Sequence, residues 1–310
     1  MSDAVVTRED IVTAAGRIEP YVRHTPTFAL GDVLGAGYDL TLKLDHMQPT
    51  GSFKVRGAFS ALTAISIPIS GVVAASGGNF GLAVAYAARE LGLTATIFVP
   101  DTSPHEKVGK IERLGARLVV VPGFYGDALA ASRQHASEDG SVSVHAYDQA
   151  EVMAGQGTCG REILDQVPDA STILVAVGGG GLIGGIASWT GDRARIVAVE
   201  SEECPTLHEA RRAGRPIDVE IRPGSATSSL GASRIGDIPW SANRWIDESV
   251  LVSDPEILAA QSWLWDTTRI VAEPSGCVPI AALRSGAVAP EKGEQVVALI
   301  SGANTAIDLS

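Results

Sequence analysis

Cysteine is scarce in this chain of 310 residues: Cys159, Cys204 and Cys277 stand far apart, without paired or metal-site spacing. That excludes a disulfide framework and points to free thiols in a reducing cytoplasm. Basic charge is short as well. Lys and Arg total 24 against 36 Asp and Glu, a formal net charge of −12, which argues against nucleic acid or an anionic membrane as partner, because both need a basic surface. A small-molecule role is favoured. The N-terminal "MSDAVVTRED" has neither a basic region nor an apolar core, so no signal peptide is expected. The one long uncharged run, Gly57 to Ala88, is interrupted by Pro68, Gly71, Gly77, Gly78 and Asn79. It therefore reads as a buried strand and a buried helix flanking a loop, not as a membrane span. Internal repeats, low-complexity tracts and long linkers are lacking.

Glycine, by contrast, is plentiful: there are 34, in a chain that is 45% hydrophobic. The length suits about two domain-sized cores or one large α/β domain. Short β-branched runs alternate with helical patterns: "GVVAAS" at 71, "TATIFVP" at 94, "ARLVVVP" at 116, "TILVAV" at 172, "RIVAVE" at 195 and "QVVALI" at 295. Such alternation predicts parallel sheets covered by helices. One helix, "SPHEKVGKIERLGA", is expected to take Ser103 as N-cap and Pro104 as its first residue. Two α/β lobes are expected, with the ligand in the cleft at the carboxyl ends of strands.

Three loops carry the chemistry. In "TGSFKVRGA", Gly51, Ser52 and Gly57 keep the surroundings of Lys54 open, and Phe53 offers a flat face. In "ILVAVGGGGLIGGIASW" an apolar strand ends at Val177, a four-glycine turn follows and a helix begins near Leu182. Backbone N–H groups at such a helix start make an anion site suited to a phosphate. "SGGNFG", Ser76 to Gly81, repeats that arrangement and adds the Asn79 amide. Two anion sites and a lysine suggest a cofactor phosphate, a substrate carboxylate and an aldehyde held by the amine. A rival reading exists: Gly179, Gly181 and Gly184 satisfy G-x-G-x-x-G, and Glu200 ends the next strand, as in a dinucleotide fold. It is not preferred, because it leaves "GSFK" and "SGGNFG" without a purpose.

The sequence resembles the threonine/serine dehydratase and serine racemase family of fold-type II pyridoxal-phosphate enzymes. The similarity spans almost the full chain: "RHTPT" at 23, "LKLDHMQPTGSFKVRGA" at 42, "ASGGNFG" at 75, "GQGT" at 155, "VGGGGLIGG" at 177, "AEPSG" at 272 and "SGANT" at 301. The resemblance implies an α/β enzyme of two lobes, each with a mainly parallel twisted sheet, and pyridoxal 5'-phosphate in the cleft between them. Residues 1–69 with 149–310 would form the large domain and 70–148 the small one. Lys54 would hold the cofactor aldehyde as a Schiff base and serve as general base. Phe53 would pack on the pyridine ring, and Gly178, Gly179, Gly180, Gly181 and Leu182 would hold the phosphate. Asn79 would bond the ring hydroxyl, Ser76, Gly77 and neighbouring N–H groups would receive the substrate carboxylate, and Ser301 would face the pyridine nitrogen. A serine there, unlike a carboxylate, leaves the ring neutral and favours expulsion of a β-leaving group. The implied activity is α,β-elimination of L-threonine, L-serine or a related β-hydroxy amino acid to a 2-oxo acid and ammonia, by a homodimer.

Several positions depart from the family pattern. The racemase branch places a proton-donating serine where this chain has Gly77, which favours a dehydratase, and Phe80 stands where many relatives have histidine. A divalent cation would take Glu200 and the Cys204 carbonyl, but Thr206 replaces the aspartate that relatives supply. A hard cation wants several anionic oxygens, so metal is not favoured, and Glu200 reads equally well as a strand-end acid in a polar loop. Asp148 lies where relatives have an asparagine near the cofactor. Glu273 is expected to be a buried acid that organises its loop, and the six histidines, His46 and His145 included, to be structural or on the surface. Trp240, Trp245, Trp263 and Trp265 read as helix packing or a subunit interface. Nine residues follow Ser301, so a C-terminal regulatory domain is not expected. Alternatives are a serine or amino-acid racemase with side dehydratase activity, an NAD-dependent oxidoreductase, and a non-catalytic relative that binds an amino acid.

Overall fold

The structure, a computed structural model, describes residues 5–103 and 105–305. Along the chain run α1 (Arg8–Ile18), β1 (Thr27–Gly31), β2 (Asp39–Lys43), α2 (Lys54–Ala64), β3 (Val72–Ala75), α3 (Asn79–Glu90), β4 (Ala95–Pro100), α4 (His105–Arg113), β5 (Arg117–Val121), α5 (Tyr125–Asp139) and β6 (Val142–Ser143). There follow α6 (Ala150–Gln166), β7 (Thr172–Ala176), α7 (Gly181–Thr190), β8 (Arg195–Ser201), α8 (Thr206–Ala213), α9 (Thr227–Leu230), α10 (Asp237–Trp240), β9 (Glu248–Val252), α11 (Asp254–Thr268), α12 (Pro274–Ser285) and β10 (Gln295–Leu299). All six runs expected as strands are strands. The start proposed for α4 turns on Pro104, which lies outside the described residues.

Two sheets result. One has six strands in the order β1-β2-β10-β7-β8-β9, the other four in the order β5-β4-β3-β6. Every neighbouring pair is parallel except β1–β2, an antiparallel pair at the edge of the larger sheet. Central strands such as β7 and β3 are buried along their whole length, as parallel strands with covered faces must be. Helices α1, α6 and α7 bury one face of the larger sheet, and α11 and α12 the other. Helix α2 takes Val55, Ala58, Phe59 and Leu62 into the core of the smaller sheet, against Val72, Ala74 and Ile97.

Helix ends follow local chemistry. Thr7 and Asp10 cap α1 reciprocally, with the Thr7 N–H donating to Asp10 Oδ2 at 2.8 Å and the Asp10 N–H to Thr7 Oγ1 at 3.2 Å. Ser253 and Glu256 do the same for α11. Of the tryptophans, Trp240 and Trp263 pack against the cores, while Trp245 and Trp265 are exposed beneath the guanidinium groups of Arg244 and Arg269.

Two cations and two anions are buried together beneath α2. Arg56 is 0% exposed; it donates to Asp45 Oδ1 at 2.6 Å and to Glu162 Oε1 at 2.7 Å, and Lys43 Nζ reaches Glu162 Oε2 at 2.6 Å. Burial raises the Asp45 carboxyl, but the charge and hydrogen bonds of Arg56, with Lys43 and Thr25, outweigh it and leave the pKa lowered. Removing one member of such a cluster strands a buried charge. Arg56→Ala is expected to lower unfolding stability by about 3–5 kcal/mol in a urea titration. Because the folded-state pKa of Asp45 is depressed, its contribution is present at neutral pH and lost as pH falls below the ordinary carboxylate range. The difference between wild type and variant should therefore shrink in acid.

Candidate active site

The site gathers where strands of both sheets end. Immediately past β3 comes the loop Ser76–Gly78, past β4 Ser103, past β6 Tyr147, past β7 the glycine loop and past β10 Ser301. This is the crevice at strand carboxyl ends in which α/β folds bind ligands. Phe53, Lys54, Asn79, Tyr147, Gly178, Gly179, Gly180, Gly181, Leu182, Glu273 and Ser301 line a narrow recess. The recess opens into a cleft of about 480 Å³, with Ser76, Gly77, Phe80, Ser103, Tyr125 and Ser228 on its walls.

Lys54 is the first residue of α2. Its Nζ donates to the Ala146 carbonyl at 3.2 Å and lies 5.0 Å from the centroid of Phe53 and 5.8 Å from that of Phe80. Burial brings its pKa down from 10.5 to about 8, and Glu273 pulls it partly back up. At pH 7 about a tenth of the amine is thus free of its proton and nucleophilic, far more than for an exposed lysine. The Lys54 loop is sewn to the loop after β10. The Phe53 N–H donates to the Ser301 carbonyl at 3.0 Å, the Ala303 N–H to the Gly51 carbonyl at 2.9 Å, and Asn304 Nδ2 to the Thr50 carbonyl at 2.8 Å.

That stitching continues to Asn79. Its Oδ1 accepts from Asn304 Nδ2 at 2.9 Å and its Nδ2 donates to Glu273 Oε1 at 2.7 Å, so the amide is fixed in orientation. Glu273 Oε2 is buried without a partner. Glu273 is buried as expected, but among the described residues its side-chain hydrogen bond goes to Asn79 of α3 and not to its own loop, and it lines the recess. Ser301 is 5% exposed, and its hydroxyl makes no hydrogen bond among the described residues.

The glycine loop is an anion cradle by construction. Gly180, the N-cap of α7, has φ 91°, a conformation glycine adopts without penalty. A Cβ on Gly179 would overlap the Tyr147 ring, and one on Gly178 would lie 2.9 Å from the Leu230 carbonyl oxygen. Among the described residues the N–H groups of Gly178 through Ile183 find no acceptor, and they surround one end of the recess. Unpaired N–H groups at a helix start, in a recess lined by a lysine, fit a phosphate.

In the second loop the Ser76 N–H is not available for a carboxylate, because it donates to the Phe98 carbonyl at 3.0 Å. The Ser76 hydroxyl, which accepts from the Gly78 N–H at 3.2 Å, and the unpaired N–H groups of Gly77 and Asn79 remain.

Three candidates stand elsewhere. Asp148 lines neither the recess nor the cleft; its Oδ1 accepts from the Ile238 N–H at 2.9 Å at the start of α10, and its neighbour Tyr147 occupies the recess instead. Glu200 is 0% exposed within β8 rather than in a polar loop, and its two oxygens accept from the Leu207 and His208 N–H groups at 2.7 Å. Burial pushes its pKa up to about 8, and those N–H groups pull it partly back. The two oxygens satisfy the start of α8, and Glu200 lines neither the recess nor the cleft. The Cys204 carbonyl accepts from the Thr206 N–H at 3.0 Å, and among the described residues no three His, Cys, Asp or Glu side chains converge as a metal site. His145 is neutral, its pKa lowered to about 4 chiefly by burial, and its Nδ1 accepts from the Asp148 N–H at 2.9 Å. Tyr147 carried no signal in the sequence, and Asn304 stood in "SGANT" without a role of its own, since each acts through partners far away along the chain.

Comparison with known proteins places this geometry. The family described as "Pyridoxal-phosphate dependent enzyme" matches residues 18–302. L-threonine ammonia-lyase of Thermotoga maritima is 34% identical, over 98% of this chain and 77% of that protein. Among solved structures, maize serine racemase aligns with a TM-score of 0.90 at 29% identity, covering 98% of this chain and 95% of that one. The T.th. threonine deaminase aligns with a TM-score of 0.90 at 32% identity, covering 97% of this chain and 99% of that one. A desolvated lysine amine, a cradle of unpaired N–H groups and a narrow recess with Phe53 in its lining fit pyridoxal phosphate. The chain belongs to the pyridoxal-phosphate dependent enzyme family, within its threonine/serine dehydratase and serine racemase branch, and is a lyase of fold type II.

Proposed function

We propose that this enzyme is a dehydratase, or ammonia-lyase, which converts L-threonine, L-serine or a related β-hydroxy amino acid to a 2-oxo acid and ammonia by α,β-elimination. The observation that carries this reading is one lysine amine, depressed toward neutrality, set between two loops of unpaired N–H groups. The similarity to L-threonine ammonia-lyase over nearly the whole chain supports it. Bound pyridoxal phosphate supplies the electron sink for the charge left on Cα when its proton is removed.

The residues divide the work. Lys54 holds the cofactor through its amine and takes the Cα proton at Nζ. The N–H groups of Gly178 through Leu182 hold the phosphate, Phe53 packs on the ring, and Asn79, locked by Glu273 and Asn304, keeps one N–H for the ring hydroxyl. Ser301 sets a hydroxyl rather than a carboxylate at the recess. The N–H groups of Gly77 and Asn79, with the Ser76 hydroxyl, receive the substrate carboxylate. Gly77 itself has no side chain with which to donate a proton, and the similarity to L-threonine ammonia-lyase supports elimination over racemisation. Among the described residues, Lys54 alone brings a charged side chain to the cleft wall, which suits a neutral side chain on the substrate.

We further propose a large unit of residues 1–69 and 149–310 and a small unit of 70–148, with α2 packed into both. A homodimer is what the resemblance to this family implies. A cytoplasmic setting is supported by three buried, unpaired thiols.

Purified enzyme supplied with pyridoxal phosphate is expected to absorb in the visible and to release 2-oxo acid from L-threonine or L-serine, and Lys54→Ala to release none. A variant as active as wild type would contradict the role of Lys54. Because the free amine must attack the cofactor, the rate of cofactor uptake by the cofactor-free protein should rise about tenfold per pH unit below pH 8 and level off above it. Stopped-flow absorption reads that rate, and a midpoint near 10.5, the value of an exposed lysine, would contradict the desolvated amine.

A further inference from the structure

Two hydroxyl groups on the cleft wall have no task in the reaction as derived. Tyr125 opens α5 just beyond β5 and lines the cleft, with its Oη buried and unpartnered. Burial, and secondarily Tyr147, push its pKa up while Arg133 pulls it back, so the phenol is neutral and can both donate and accept. A buried hydroxyl left unpaired is costly, and it is tolerated where a ligand completes the bond.

Ser103, beyond β4, lines the same cleft. Its N–H is committed to the Pro100 carbonyl at 2.9 Å, but its hydroxyl makes no hydrogen bond among the described residues. A Cβ built on Gly77 would overlap Ser103 Oγ and lie 2.6 Å from Ser103 Cβ. The missing side chain at 77 is what lets a hydroxyl from the next strand end stand against the carboxylate loop. Gly77 and Ser103 therefore work as a pair: one volume, filled from the neighbouring loop.

We propose that Tyr125 and Ser103 are specificity-determining residues that bind the polar group on the substrate β-carbon and so select β-hydroxy amino acids over their deoxy counterparts. The proposal rests on the dehydratase reading for the class of substrate and deepens it. A site built to hydrogen-bond a substrate hydroxyl rejects the analogue that lacks it, because its own polar groups are then left unpaired.

The test compares L-threonine with L-2-aminobutyrate, which lacks only the hydroxyl, and with L-alanine, which shares the amino and carboxylate groups. Binding is read from the first change in visible absorption on rapid mixing with cofactor-loaded wild type, Tyr125→Phe, Ser103→Ala and the double variant. Wild type is expected to favour L-threonine over L-2-aminobutyrate at least about tenfold, each single variant to lose several-fold of that preference, and the double variant to lose nearly all of it. L-Alanine binding should stay within about twofold throughout. Equal preference in wild type and double variant, or a parallel loss of L-alanine binding, would overturn the proposal. Were wild type to make no 2-oxo acid while its preference fell as expected in the variants, the elimination reading alone would fail and the role of the two residues would stand.

Discussion

The buried cluster of Lys43, Asp45, Arg56 and Glu162 is the constraint on which the rest depends. Two cations and two anions lie out of water and neutralise one another. None can move without stranding a partner, so β2, the turn after it, α2 and α6 are held in one arrangement. Helix α2 opens with Lys54, two residues before Arg56. The cluster therefore fixes the reactive amine against the larger sheet, while the apolar face of the same helix is committed to the core of the smaller one.

What the cluster positions, the strand ends complete. Parallel strands from both sheets deliver their carboxyl ends to a single cleft, where the N–H groups of Gly178 through Ile183 in one loop and of Gly77 and Asn79 in the other are unpaired. Opposite charge is used sparingly there. Glu273 is near enough to raise the Lys54 pKa but not to cancel the effect of burial, and its bond to Asn79 ties the acid to the amide rather than to the amine. The loops that carry Lys54, Asn79, Glu273 and Ser301 are joined by main-chain and amide hydrogen bonds, a preorganisation that holds the reacting groups before any ligand arrives.

Much of this was legible in the sequence, for physical reasons. Buried parallel strands read as continuous β-branched runs, which is why β3, β4, β7, β8 and β10 stood out; β5 stood out by its valines although it is a half-exposed edge strand, whereas the edge strands β1, β6 and β9 are short or half exposed and β2 carries charged ends. The glycine loop and "SGGNFG" were legible because a close backbone approach needs residues without side chains. Asn304, Tyr147 and the partners of Glu273 were not, because their contacts span more than a hundred residues in places. Glu200 was misleading in either of two ways. A strand-end acid near a helix start can bind a ribose, a cation or the helix itself, and only the structure shows that the N–H groups of α8 use both its oxygens. Nothing local to Lys43, Asp45 and Arg56 reveals that Glu162 lies beside them.

The most direct measurement of the central claim is borohydride reduction of the cofactor-loaded enzyme followed by peptide mapping in a mass spectrometer. Reduction makes the link between amine and cofactor permanent, so the modified residue can be read from the sequence of one peptide. The account predicts a pyridoxyl-phosphate group on Lys54 and on no other lysine. Label on Lys43, Lys107, Lys110 or Lys292, or a protein that keeps its visible absorption after Lys54 is replaced by alanine, would contradict it.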